Sequence, residues 1–124
     1  MRNFKELKIW QKGFVIAINS FKITTAFPLQ EKHGLAAQIN RAAVSISSNI
    51  AEGSSRSSIK DYNRFIEISL GSSFELETQL LIAKNLNYGD QLLIKNTLEL
   101  LNEEERMLTA FSNTLIKRIQ PTKS

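Results

Sequence analysis

The sequence predicts an all-α protein, an antiparallel four-helix bundle in which residues 1–124 form a single domain. Three observations carry this. Apolar residues recur every three or four positions through most of the chain, the spacing that lines one helical face. Helix breakers are scarce, with five Gly and two Pro in 124 residues. No stretch alternates with period two for long enough to make a strand.

Helix one is expected from about Lys5 to Ala26. Leu7, Trp10, Phe14, Ile18 and Phe21 form a stripe read as its inward face, and Ile9, Val15, Ile16 and Ile23 widen it. Gly13 inside it weakens the helix by ~1 kcal/mol relative to Ala and suits close backbone approach. Phe27-Pro28 ends the segment, because a residue before proline avoids helical geometry. Helix two follows from about Glu31 to Glu52, with Glu31 at the positive end of the dipole. Leu35, Ile39, Ala42, Ile46 and Ile50 form its stripe, and Gly53 reads as a left-handed stop.

Ser58, with Asp61 three residues on, resembles a capping box and opens helix three, expected from about Ile59 to Tyr88. Tyr62, Phe65, Ile66, Ser69, Leu70, Ser73, Leu76, Leu80 and Ala83 make its inward side, and Gly71-Ser72-Ser73 permits close packing or a slight bend. Gly89-Asp90 reads as a stop followed by an N-cap. Helix four then runs from about Gln91 to Ile119 on Ile94, Leu98, Leu101, Leu108, Phe111, Leu115 and Ile119, and Pro121 closes it. Short connections between helices of this length favour antiparallel neighbours. The stripes are wider than one core requires, which favours burial against another subunit; a generous monomer core is the other reading.

Composition narrows the function classes. Cysteine is absent, which removes disulfides and thiolate metal sites and fits a reducing, cytoplasmic setting. No apolar run approaches the ~20 residues of a membrane span, and the N-terminal MRNFKELKIW lacks a signal-peptide apolar segment. The net charge is +4, with basic residues concentrated toward the termini and an acidic cluster at Glu103, Glu104 and Glu105. His33 is the sole histidine, and no HExxH, Glu-x-x-His pair or Gly-rich phosphate loop is present. No cofactor is therefore expected, and the chain does not read as an enzyme.

Two groups of polar residues stand out. Arg41, Asn49 and Glu52 on helix two, with Glu75 and Gln79 on helix three, read as a structural polar network, in which Glu52, if part-buried, needs a donor such as Arg41 of a neighbouring subunit, Arg56 or a capping N–H. Lys5, Lys8, Lys12, Arg56, Lys60 and Arg64 read as candidate nucleic-acid contacts, clustered near one end of helices one and three. Trp10 lies between Lys8 and Lys12, as a base-stacking ring would, but its place on the stripe favours burial.

The run Phe4, Leu7, Trp10-Gln11, Phe27-Pro28, Glu31, Gly34-Leu35 and Gln38 leads into Arg41-Ala42-Ala43, Ser45-Ile46, Asn49-Ile50-Ala51-Glu52-Gly53 and Arg56. Phe65, Gly71-Ser72, Glu75-Leu76-Glu77 and Gln79-Leu80 continue it. Over residues 4–90 this pattern resembles the four-helix bundle proteins encoded in intervening sequences of bacterial 23S ribosomal RNA genes, a family that includes the accessory protein of diversity-generating retroelements. The resemblance implies an up-down-up-down bundle assembled as a homopentamer. For retroelement members it implies nucleic-acid binding and contact with a reverse transcriptase. Five copies of this chain would carry about +20. The partners expected are further copies of itself, RNA or DNA, or a protein; none is a membrane.

Overall fold

The computed structural model describes residues 3–119. Four helices form a bundle: α1 Lys8–Thr25, α2 Leu35–Ser54, α3 Ile59–Asn85 and α4 Gln91–Ile119, with 3-10 turns at Phe4–Glu6 and Leu29–Glu31. Each helix packs on two others, α1 on α2 and α4, α3 on α2 and α4, while α1 and α3 sit at opposite corners.

Local chemistry explains the boundaries. The Ser58 hydroxyl accepts from the Asp61 N–H at 3.0 Å and opens α3. The Asp90 carboxylate accepts from Leu92 and Leu93 N–H groups and opens α4 over the expected range. Between them Asn87 and Gly89 adopt positive φ, 57° and 77°, and turn the chain three residues earlier than expected. The α2 helix starts later than expected, at Leu35, after the turn at Leu29–Glu31. The Glu31 carboxylate accepts from the Leu35 N–H at 3.3 Å, the dipole-end placement expected of it. Pro121 lies outside the described residues.

The core is built from Ile16 and Ile23 of α1, Ile39, Ile46 and Ile50 of α2, Ile66, Leu76 and Leu80 of α3, and Ile94, Leu101 and Leu108 of α4. The α2 stripe is the expected one. The α1 stripe is not: Ile9, Gly13, Ile16, Ser20 and Ile23 face inward, whereas Phe14, Ile18 and Phe21 are 48%, 44% and 46% exposed. Helix one is apolar around most of its circumference, so two stripes compete, and the smaller, flatter side chains win the close seam with α2 and α4.

Gly53 also departs from expectation. It lies inside α2, buried, with no positive φ. A Cβ there would stand 2.8 Å from the Phe65 Cβ and 3.1 Å from the Tyr62 carbonyl oxygen. The residue is required by the approach of α3, not by a left-handed turn.

Candidate nucleic-acid interface

Contacts set which basic residues share an end. The Thr24 hydroxyl meets Asn40 at 3.0 Å, and Gly13 lies against Ile46. Residues before Gly13 therefore run beside residues after Ile46, and the Phe4–Glu6 turn packs on α2. Ser112 donates to Asn63 at 2.7 Å, and Ile119 shares a groove with Ser58 and Lys60. The end of α4 thus lies beside the start of α3. Lys5, Lys8, Arg56, Lys60 and Arg64 come to one end of the bundle. Lys117 and Arg118, which sequence reasoning left out of the contact set, join them. Their signal was available: they fall in the last turn of a helix whose length carries it back to the start of α3.

This end is ordered around one ring. The Arg56 and Arg64 guanidiniums lie 4.7 Å and 4.5 Å from the centroid of Phe65, within cation–π range. Arg56 pairs with Glu52 at 3.1 Å. Asp61 pairs with Arg64 at 3.0 Å and stands 3.8 Å from Arg56. The two arginines are thus oriented by two carboxylates, Glu52 and Asp61, that balance their formal charge. Lys5, Lys8, Lys60, Lys117 and Arg118 are exposed and form no ion pair among the described residues. Lys12 stands apart, half-buried and bound to Glu103 at 3.0 Å on the α1–α4 seam. Trp10 is half-buried, stacked on Phe14 at 5.3 Å and edge-on to Phe4 at 5.4 Å, and its flanking rings suit packing better than base stacking.

The residues read as one polar network occupy separate places within the chain. Asn49 bonds back to its own helix, donating to the Ser45 carbonyl at 2.7 Å and hydroxyl at 2.8 Å, and Ser45 meets Ser72 of α3. Glu52 is exposed and pairs with Arg56 of the next turn, one of the donors named for it. Arg41 and Glu75 are exposed, and Gln79 is buried with its Oε1 unpartnered.

Sequence reasoning missed the acids of α4. Glu104 is fully buried, with neither carboxylate oxygen hydrogen-bonded, against the space left by Gly13. Burial pushes its carboxyl up to about 8, against the pull of the Lys12 charge. Glu105 is also raised to about 8, by burial first, then by a hydrogen bond and charge from Glu77, with Arg106 opposing. The three acids diverge, as consecutive helical residues do: Glu103 to Lys12, Glu104 into the core, Glu105 toward Glu77. The placement of Glu104 was legible, since it falls between Leu101 and Leu108 at helical spacing. Among the described residues no cluster of His, Asp or Glu could hold a metal ion, and no helix is long and apolar enough to cross a membrane.

The profile of the 23S rRNA-intervening sequence protein family matches residues 5–110. A crystal structure of a protein of unknown function from the S23 ribosomal protein family of Bacteroides thetaiotaomicron has a similar fold. Its TM-score is 0.75 at 21% identity, over 84% of this chain and 97% of that one. No curated protein matches the chain.

Proposed function

The chain belongs to the 23S rRNA-intervening sequence protein family, and from that premise we propose a non-catalytic protein that self-assembles and associates with RNA or DNA through the basic end. In this reading residues 1–124 form one domain. Its helices run up-down-up-down, supported by the pairings of Thr24 with Asn40, Ser45 with Ser72 and Asn63 with Ser112. The assembly is a homopentamer, as the resemblance implies, and the exposed aromatic face of α1 supports burial between copies. The exposed Arg41 and Glu75 are then available for contacts between copies.

The observation that carries the nucleic-acid reading is the convergence of Lys5, Lys8, Arg56, Lys60, Arg64, Lys117 and Arg118 at one end. Phosphate backbones are held by such clusters without base readout. Repeating the end around an assembly axis multiplies the field. Lys12, held by Glu103, contributes field rather than a direct contact in this reading.

The test is binding to mixed structured RNA across a salt series. The wild type is expected to bind with log K falling linearly in log salt. Neutralising Arg56, Lys60 and Arg64 together should weaken binding and reduce the salt slope by about three. Binding that ignores both salt and these substitutions overturns the reading. The second reading is an adaptor for a protein partner such as a reverse transcriptase, the link implied by resemblance to the retroelement accessory protein. The exposed apolar side chains favour it, and a saturable protein complex insensitive to the three substitutions would select it.

A further inference from the structure

We infer that the outward face of α1 in one copy docks on the outward face of α3 in a second copy, head to tail; the inference rests on the self-assembly reading above. Within the bundle α1 and α3 sit at opposite corners, so their outer faces look away from each other. Both are apolar. On α1, Phe14, Val15, Ile18 and Phe21 are each more than two-fifths exposed. On α3 the same holds for Phe74, Leu81 and Ile82, and for Leu86 just past its end. With Trp10 stacked on Phe14, the first patch runs ~16 Å along its helix and the second ~18 Å, a matched length at 1.5 Å per residue.

Charge selects the pairing. Helix α1 carries Lys8, Lys12 and Lys22 and no acid. The α3 stretch 67–86 carries Glu67, Glu75 and Glu77 and a single base, Lys84, near its far end. Lys12 and Glu77 are engaged within the chain by Glu103 and Glu105, which leaves Lys8 and Lys22 exposed on one helix and Glu67 and Glu75 on the other. Packing α1 on α1 would set lysines against lysines, and α3 on α3 glutamates against glutamates. Packing α1 on α3 sets the exposed lysines of one patch beside the exposed glutamates of the other.

Gly71 gives an independent pointer. It sits mid-helix on the outer face of α3, and a Cβ there would have no atom within 4 Å. An exposed glycine inside a helix carries a propensity cost, and nothing within the chain requires it. It leaves a notch beside Glu67 and Phe74 where a side chain or backbone of another helix can seat. Because the two faces differ, the contact is heterologous, and repetition closes a ring or extends a filament.

The test uses two double variants of the full chain, Phe14→Gln/Ile18→Gln and Phe74→Gln/Ile82→Gln, measured by light scattering, with helicity followed by circular dichroism. Each alone is expected to fall from the wild-type mass to a monomer. Their equimolar mixture should give a one-to-one dimer, because one intact α1 face and one intact α3 face remain. Leu92→Gln, which removes an exposed apolar side chain of α4, should keep the wild-type mass. Folded variants that stay monomeric when mixed overturn the head-to-tail pairing. Variants that keep the wild-type mass overturn the face assignment while leaving self-assembly standing. A monomeric wild type overturns self-assembly itself. Should a double variant lose its helicity, Ile18→Gln and Ile82→Gln carry the same prediction singly.

Discussion

The α2–α3 seam and the α1–α4 seam each set a glycine against a neighbouring helix, and they close on different partners. At Gly53 the neighbours are the Phe65 Cβ, the Tyr62 ring and the Tyr62 carbonyl, atoms close to the main chain of α3 that cannot swing away. Hydroxyls along this seam are paired: the Ser69 hydroxyl donates to the Ile46 carbonyl at 2.8 Å, and Ser45 meets Ser72 at 2.8 Å. At Gly13 the nearest neighbour is the end of the Glu104 side chain at 3.1 Å, a carboxyl with no hydrogen bond. One seam is tight and carries no buried carboxyl. The other holds an ionisable group whose charge the core resists, so the two should respond differently to pH and to added volume.

The largest expected effect is on the α1–α4 seam. The Glu104 carboxyl is raised from 4.5 to about 8 in the folded chain, so between these values the folded state binds more protons than the unfolded one. Stability is therefore highest below the unfolded value and falls as pH rises toward 8, by about 4 kcal/mol, then levels. Glu105 acts in the same direction with a smaller weight, being partly exposed. Urea unfolding of wild type and Glu104→Gln across this range is the check: the variant should lose most of the slope and be the more stable protein at pH 8. Equal slopes would mean that the seam admits water to Glu104.

Next comes the contrast between glycines. Gly53→Ala should destabilise by about 2 kcal/mol, since overpacking against near-main-chain atoms outweighs the gain in helix propensity. Gly13→Ala should fall within about 1 kcal/mol of wild type, because the Glu104 side chain can rotate and the propensity gain offsets the contact with Ile46. Thermal melts at one pH compare them directly, and a larger loss at Gly13 would reverse the comparison. Ser69→Ala should cost about 1 kcal/mol, the net value of one buried hydrogen bond across the α2–α3 seam. The smallest effect is expected for Glu52→Ala. Its exposed i,i+4 pair with Arg56 is worth at most about 0.5 kcal/mol to the folded chain, so a melt shifted well beyond that would give Glu52 a role outside this pair.

Much of this was legible from residue order. The α2 stripe, the start of α3 at Ser58, the cap at Asp90 and the full extent of α4 follow from local chemistry, and the structure reproduces them. The inward face of α1 was not legible, because Trp10, Phe14, Ile18 and Phe21 repeat with the same period as Ile9, Gly13, Ile16 and Ile23. Periodicity identifies a face only when the opposite face is polar. Glu104 was read with its acidic neighbours as a local acidic cluster, although its register with Leu101 and Leu108 places it inward. At the basic end, the α1 and α3 cations were grouped from sequence, whereas Lys117 and Arg118 were left out although the length of α4 brings its last turn to that end.

The sequence by itself determined an all-α chain of four helices, most of their boundaries and a mildly basic charge, since turns, caps and helical period act over a few residues. Tertiary structure alone decided which stripe of α1 is buried, that Gly53 serves close approach, that Arg56 and Arg64 flank Phe65, and that the Glu104 carboxyl meets no hydrogen-bond partner. Those outcomes depend on which atoms of another helix arrive within 3–5 Å, and that is set by the competition among all four helices for one shared interior.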